Sequence, residues 1–208
     1  ICSVFSQLER ETISKRVSDN MYSLAENGYW LGGEPPFGYT HQRNAVIDSG
    51  GKNRTFAELI PIKDEISIAK LLFDKYLELG SLSQVEKYTL QNNIKTRKNK
   101  DWSKATLSYF LSNPVYVKAD ESVVEYYKSI GITTYGTVNG INGLLIYKKR
   151  KGKTSKLRDS SEWIYAVSNH EGIIDSENWL KVQKLMNINK VRAPNMGRSN
   201  KALLSGMI

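Results

Sequence analysis

Residues 83–114, SQVEKYTLQNNIKTRKNKDWSKATLSYFLSNP, combine two short helical patterns with a polar and strongly basic turn between them. Ser83 and Glu86 have the spacing of a capping box, which predicts the start of the first helix. Ser103 predicts the N-cap of the second helix, over 104–111. The cations of the turn precede this second helix, where both they and the free backbone N–H groups of its first turn favour a phosphate.

A longer helical pattern lies just upstream of this stretch. Pro61 suits the first turn of a helix, acidic residues follow it, and Gly80 suits the left-handed residue that ends a helix. Three helices, of which the last two are short, outline a helix-turn-helix-like unit of the kind that binds DNA. A purely structural three-helix bundle has the same pattern and stays open at this point.

The N-terminal segment predicts one unusually long helix. Apolar residues recur at nearly helical spacing over 1–27, and Gly28 suits the end of the helix. Residues 28–39, GYWLGGEPPFGY, follow it. Their glycines and prolines predict an extended linker, and their aromatic residues indicate that this linker is anchored rather than free.

The remaining segments predict small β elements and two more helices. In order, they are a hairpin (45–48 and 54–60), a short helix (122–130), a strand (163–167) and a last helix that starts at Asp175 or Ser176. The predicted fold class is therefore α+β: a long N-terminal helix, then a mainly helical, helix-turn-helix-like DNA-binding domain with small antiparallel β elements.

The charge of the chain narrows the class of partner. The 208 residues carry a formal net charge of +9, which suits nucleic acid or an anionic membrane surface. The densest cationic block is 148–158, KKRKGKTSKLR, which suits contact with a phosphate backbone but carries no sequence specificity. No apolar run approaches the length of a membrane-spanning helix.

The cysteine count indicates a reduced, cytoplasmic compartment. Cys2 is the single cysteine, so the chain cannot hold an internal disulfide framework. Only His41 and His170 accompany it, which argues against a Cys/His zinc site within the chain.

Three segments resemble the large serine recombinases, which are the serine integrases and the transposon resolvase–invertase relatives. Residues 5–40 are similar to that family's F-x-Q-x-E-R-x-x-I-x-x-R helix and W-x-G-G-x-P-P-x-G-Y linker. Residues 94–116 resemble its T-x-x-G-x-x-W-S-x-x-T stretch, and residues 162–185 resemble the connection toward its zinc ribbon. The matched positions of the first segment are Phe5, Gln7, Glu9, Arg10, Ile13, Arg16, Gly28, Trp30, Gly32, Gly33, Pro35, Pro36, Gly38 and Tyr39.

The resemblance implies the DNA-binding portion of a site-specific recombinase that integrates, excises or inverts DNA. The family joins DNA through a phosphoserine linkage, and transesterification of this kind needs no nucleotide cofactor. The nucleophilic serine belongs to an N-terminal catalytic domain, whereas Ser18 lies mid-helix without the surrounding pattern. We therefore expect no catalytic residue and no cleavage by this chain. The strand pattern at 202–208 resembles the entry to the zinc ribbon, so zinc is expected after it and no metal or cofactor within the chain.

The implied organisation has five parts. They are the long helix (1–27), a groove-tracking linker (28–39), a recombinase DNA-binding domain (40–135), a basic loop, strand and helix leading toward the ribbon (136–190), and a linker with the ribbon's first strand (191–208). The implied partner is double-stranded DNA, with self-association of the full-length protein as a dimer on one site and a tetramer in synapsis. Neither a membrane nor a small-molecule substrate is expected, and the implied location is the prokaryotic cytoplasm, at the nucleoid when bound to DNA.

By the same resemblance, the expected DNA contacts fall into three groups. The long helix and the linker contribute Arg10, Lys15, Arg16 and Trp30. The three-helix unit contributes Arg97, Lys98 and Lys100 to phosphates and Lys104, Thr106 and Ser108 to base edges. The basic block contributes Lys148, Lys149, Arg150 and Lys151.

Two alternatives explain less of the sequence. A non-enzymatic helix-turn-helix regulator accounts for the three helices and the charge, but not for the long helix with its matched linker. An RNA-binding or membrane-surface protein requires stacking aromatics in a single-strand platform or an amphipathic basic helix, and neither pattern is evident.

Overall fold

The computed structural model describes residues 2–47, 53–150 and 156–192. Within these ranges the fold is α+β, as predicted, and two small sheets lie among the helices. The elements are α1 (Cys2–Glu26), β1 (Tyr39–Ile47), β2 (Asn53–Pro61), α2 (Lys63–Leu79), α3 (Leu82–Gln91), α4 (Lys104–Leu111), α5 (Glu121–Ser129), β3 (Thr134–Tyr135), β4 (Asn142–Tyr147), β5 (Ile164–Glu171) and α6 (Ser176–Arg192).

The long helix α1 ends against strand β5. Gly28 has a φ of 74° and its N–H donates to the Ala25 carbonyl oxygen at 3.0 Å, which closes the helix as predicted. A Cβ at this position would lie 2.0 Å from the carbonyl oxygen of Val167 in β5. Gly28 is therefore required for two reasons, the left-handed turn and the close approach of two backbones.

The preceding turns of α1 extend away from the core. Ala25 is fully buried, whereas Leu8, Ile13 and Val17 are each more than half exposed. Among the described residues, the attachment of α1 to the rest of the chain therefore lies in its last two turns. In the part of the chain that the structure describes, no helix combines the length and the apolar character that a bilayer crossing requires.

The predicted hairpin is present and longer than expected. Strands β1 and β2 pair antiparallel from Tyr39 opposite Pro61 to Ile47 opposite Asn53, and the turn between them lies outside the described residues. Pro61 closes β2, so the prediction that it opens α2 is wrong. The N–H of Ile62 donates to the Gly38 carbonyl at 2.8 Å, which holds Ile62 in an extended conformation and delays the helix to Lys63.

Helices α2, α3 and α4 form the predicted three-helix unit. Helix α2 ends at Gly80, which has a φ of 64°, and α4 spans the predicted residues. The prediction of a capping box between Ser83 and Glu86 is wrong, because α3 starts one residue before Ser83. The Glu86 carboxylate accepts the N–H of Lys104 at 3.2 Å rather than a backbone N–H at the start of α3. The buried side chains of the unit include Ala69, Leu72, Phe73, Tyr76, Val85, Leu107, Phe110 and Leu111.

A second sheet and two helices complete the described core. Its strand order is β3-β5-β4, with β3 parallel and β4 antiparallel to β5. Tyr127 of α5 and Trp179 of α6 are buried with ring centroids 5.9 Å apart. One cluster of buried side chains runs from Tyr39 to Val182. The five-part organisation implied by the resemblance stays a prediction.

The linker packs against this core through Tyr116, at the end of the short turn that follows α4. Tyr116 is 1% exposed, and its hydroxyl donates to the Phe37 carbonyl at 2.7 Å. Its ring centroid lies 4.5 Å from that of Phe110 and 5.8 Å from that of Phe73. Burial raises the pKa of Tyr116 well above its usual value, so the hydroxyl remains a donor at any physiological pH.

His170 of β5 is a buried neutral side chain. Its Nε2 donates to the Val115 carbonyl at 2.8 Å, and its ring meets that of Tyr39 edge-on at 5.1 Å. Burial, the largest influence, lowers the pKa of His170 from 6.5 to about 4.

Substitution of Gly28 by alanine is expected to undo the attachment of α1. The methyl group meets the Val167 carbonyl, so we expect the variant to lose about 2–4 kcal/mol of unfolding free energy or to release α1. Urea unfolding and hydrogen exchange of the Ala25 to Tyr29 amides measure these two outcomes. Gly80→Ala is the control, since Gly80 has a similar φ and open space, and it should cost only about 1 kcal/mol. Equal losses in the two variants contradict the close-approach argument.

Acid is expected to destabilise the fold through His170. The unfolded chain takes up a proton near pH 6.5 and the folded chain only near about 4, so stability falls as pH decreases across this window. The loss reaches about 3 kcal/mol at the acid end. Urea midpoints between pH 7 and 4 should fall less steeply in His170→Asn than in the wild type. An unchanged slope in His170→Asn contradicts this assignment.

Candidate nucleic-acid interface

A groove of about 300 Å3 separates the linker from helix α4, with the basic turn 95–101 at one end. The linker forms one wall through residues 34–37, and α4 forms the other. The lining residues are Glu34, Pro35, Pro36, Phe37, Thr96, Arg97, Lys98, Lys100, Asp101, Trp102, Thr106, Tyr109, Phe110, Asn113 and Tyr116.

The basic turn has a defined hairpin-like geometry. Lys95 pairs with Asp101 at 2.5 Å, and Thr96 N–H donates to the Lys100 carbonyl at 2.8 Å. Asn99 takes a positive φ of 55°, which asparagine tolerates better than most residues. These contacts fix the backbone of the turn that carries Arg97, Lys98 and Lys100.

Arg97 points back into the protein. Its Nε donates to Glu65 Oε1 at 2.9 Å and its Nη2 to Glu65 Oε2 at 2.5 Å, a two-pronged contact with the first turns of α2. The same guanidinium donates to the carbonyls of Pro35, Pro36 and Tyr39 at 3.2, 3.3 and 2.8 Å. The Arg97 hydrogen bonds hold the pKa of Glu65 below its usual value.

Lys98 and Lys100 are exposed cations of the turn. Lys98 pairs with Glu34 of the linker at 2.8 Å, and both side chains are more than 60% exposed. The hydrogen bond from Lys98 lowers the pKa of Glu34. An exposed pair of this kind contributes little to stability, so Lys98 can exchange Glu34 for a phosphate at low cost.

The three predicted base contacts of α4 lie on two sides of the helix. Thr106 lines the groove beside the linker. Lys104 is directed toward Glu86 of α3, at 4.0 Å. Ser108 is half-buried beside a second groove that Tyr76 of α2 and residues of α6 line. The structure therefore brings Thr106 together with Lys98 and Lys100, and separates Ser108 from them.

Two of the amide groups at the start of α4 are already bound. Ser103 Oγ accepts the Thr106 N–H at 3.2 Å, and Glu86 Oε1 accepts the Lys104 N–H. The prediction that free backbone N–H groups of this turn favour a phosphate is wrong for these two amides.

Trp30 is anchored rather than displayed. Its backbone N–H donates to the Ala57 carbonyl of β2 at 2.9 Å. Its ring packs against the core, and the indole Nε1 is buried without an acceptor in the described chain. Gly32 and Gly33, which follow, are exposed and have φ values of 107° and 96°. The exposed part of the linker therefore begins after Trp30.

The remaining predicted contacts are dispersed. Arg10, Lys15 and Arg16 are exposed on α1. Lys148 lies over the Tyr22 ring at 4.8 Å, and Lys149 over the Trp163 ring at 4.9 Å. Burial and the neighbouring Arg150 lower the pKa of Lys149. Arg150 is exposed, and Lys151 lies outside the described residues.

Sequence reasoning missed Tyr109. This side chain is 68% exposed and lines the groove one turn after Thr106. An aromatic residue three positions from a predicted contact on the same helix was the available signal.

The described residues contain no group of three or more His, Cys, Asp or Glu side chains that could hold a metal ion. The strand predicted at 202–208, as the entry to a zinc ribbon, lies outside the described residues, and the zinc expected after it stays a prediction.

Comparison with known proteins identifies the family. A family model described as Recombinase matches residues 63–189, which include α2 and most of α6. The chain belongs to the Recombinase family. The family indicated by the linker and α4 motifs is thus confirmed, and the match spans the three-helix unit together with the second sheet.

Two solved structures are similar to this Recombinase chain. One is a crystal structure of an LSR–DNA complex, 20% identical, with a TM-score of 0.49, covering 91% of this chain and 42% of that chain. The other concerns the sequence requirements of the Listeria innocua prophage attP site and is 20% identical, with a TM-score of 0.48, covering 91% of this chain and 58% of that chain. The chain thus spans about half the length of these two relatives.

Ser103→Ala is expected to weaken the start of α4. Loss of the hydroxyl that accepts the Thr106 N–H should lower the unfolding free energy by about 1 kcal/mol in urea titrations. Ser83→Ala is the matched control: Ser83 is exposed within α3, and its replacement should change stability by less than about 0.5 kcal/mol. A larger loss of unfolding free energy in Ser83→Ala would support the predicted capping box instead.

Proposed function

We propose that this chain binds duplex DNA as the DNA-binding portion of a site-specific serine recombinase that recognises attachment sites. The observation that carries the proposal is the groove in which the linker, the basic turn and α4 meet. These are the elements whose sequence motifs resemble the recombinases, and the chain belongs to the Recombinase family. The two similar structures, which concern an LSR–DNA complex and an attP site, are consistent with this proposal.

The groove supplies two kinds of contact. Lys98 and Lys100 are exposed at its mouth and attract the phosphate backbone, which favours duplex DNA whatever its sequence. Thr106 offers a hydroxyl and a methyl group, which can read a base edge or a thymine methyl. Tyr109 adds a large exposed surface one turn later.

The long helix extends the contact away from the groove. Lys15 and Arg16 are exposed on α1 and suit phosphates near the crossover point, while the linker follows the duplex outward to α4. The whole protein would then cut both strands through a serine–phosphate linkage formed in its catalytic domain, exchange them and rejoin them. Dimers on one site and tetramers in synapsis belong to that whole protein.

Catalysis by this chain itself is not proposed. Ser18 lies in the middle of α1, half-exposed, and lacks the sequence pattern that surrounds a recombinase nucleophile. We infer that the chain binds attachment-site DNA without cleaving it, at a location in the cytoplasm where such DNA is present.

DNA binding should depend steeply on salt and on Lys100. If about six phosphates are neutralised, the plot of log affinity against log salt should have a slope near about −5, measured by fluorescence anisotropy with a labelled duplex. Lys100→Ala should weaken binding to every sequence and reduce that slope by about 1. Thr106→Val keeps the shape of the side chain without its hydroxyl, and should reduce the difference in affinity between preferred and random duplexes.

Lys128→Ala is the control for these measurements. Lys128 is an exposed cation at the end of α5, outside the groove, so its removal changes net charge equally without removing a groove contact. Salt-independent binding contradicts the proposed function. Equal effects of Lys100→Ala and Lys128→Ala contradict the groove as the binding surface.

A further inference from the structure

The Arg97–Glu65 pair joins three segments that are distant in sequence. Arg97 belongs to the basic turn before α4, Glu65 to the first turns of α2, and the accepted carbonyls of Pro35, Pro36 and Tyr39 to the linker. Glu65 Oε2 also accepts the Gly38 N–H at 2.7 Å. We call this set of hydrogen bonds the linker clamp.

The linker requires a donor from elsewhere because of its prolines. Pro35 and Pro36 have no N–H, so they cannot be held through a strand ladder or a helix. Their carbonyl oxygens are the polar groups by which this segment can be fixed, and a planar guanidinium presents several donors to such acceptors at once. Lysine at position 97 would present a single point charge instead.

We propose that Arg97 is a positioning residue that sets the distance along DNA between the segment contacted by α1 and the segment contacted by α4. This inference rests on the proposed DNA-binding function. It departs from the expectation that Arg97 contacts a phosphate, because the guanidinium directs its Nε, Nη1 and Nη2 at protein acceptors.

The clamp leaves a short adjustable segment between two anchors. Gly28 lies against β5, and Trp30 is bound to Ala57 of β2. The clamp then holds residues 35–39, so residues 31–34 connect the two anchored parts. The exposed glycines at 32 and 33 give this connection conformational freedom. Releasing the clamp would leave the Tyr116–Phe37 and Ile62–Gly38 hydrogen bonds in place but remove the Arg97 contacts of Pro35 and Pro36, and would thereby loosen the spacing between the two DNA-contacting parts.

The experiment measures tolerance of spacing. A duplex is first selected from a random-sequence pool with the wild-type chain, and footprinting locates its two protected segments. Duplexes with one or two base pairs inserted or removed between those segments are then titrated by fluorescence anisotropy. We expect the wild type to lose about tenfold in affinity with altered spacers, the size of one lost base contact, and Arg97→Lys to lose less than about threefold.

Two further variants separate positioning from charge. Lys98→Met removes the neighbouring cation, which donates to Glu34 and not to Glu65, and should keep the wild-type spacing profile with a smaller salt slope. Glu65→Gln keeps the guanidinium but weakens its ionic partner, and should relax the spacing profile as Arg97→Lys does. A wild-type spacing profile in both Arg97→Lys and Glu65→Gln overturns the proposal. So does a uniform loss of affinity in Arg97→Lys across all spacers, because that is the behaviour of a phosphate contact.

A measurement without DNA distinguishes failure of the clamp from failure of the proposed function. The N–H of Gly38 donates to Glu65. The rate of hydrogen exchange at this amide should rise about tenfold or more in Arg97→Lys and remain unchanged in Lys98→Met. Unchanged protection in Arg97→Lys overturns the proposal. If the wild type binds no duplex while Gly38 exchange responds as expected, the proposed function fails and the clamp remains as a structural device only.

Discussion

The hydroxyl of Tyr116, buried beneath the linker, is the contact on which the arrangement depends. It donates to the Phe37 carbonyl while its ring packs against Phe110 and Phe73. A buried donor of this kind costs free energy unless it is satisfied, so the linker has to pass over this point. The same side chain thereby connects the core of the three-helix unit to the path of the chain outside it, and the groove lies between the two.

Local features of the sequence predicted the elements well, because their signals lie within a few residues. Gly80 ended α2 and Ser103 capped α4 as expected. The prediction that Pro61 opens α2 was wrong because the deciding signal lies far away in the sequence. The position of Pro61 suits either a helix start or a strand end, and the hydrogen bond from Ile62 to Gly38 decides between them.

The candidate interface was predictable only as a set of residues, since its geometry depends on distant partners. Arg97 lies 32 positions from Glu65 and more than 55 from its linker acceptors, and no periodicity reveals such a pair. Ser108 and Thr106 are two residues apart, which places them on different sides of a helix. The net charge of +9 thus overstates the number of cations that have no protein contact, because Arg97 donates to protein acceptors and Lys148 and Lys149 lie over aromatic rings.

Among the described residues, α1 is held near its C-terminal end, so the helix can act as a lever. Its 25 residues span about 37 Å at 1.5 Å per residue, and its attachment lies at one end, where Gly28 meets Val167. A tilt of about ten degrees at that end displaces the opposite end by about 6 Å, close to two base-pair steps of 3.4 Å. The angular precision of the contacts at this end, Gly28 with Val167 and Tyr22 with Lys148, therefore limits how accurately the far end of the helix can be aimed.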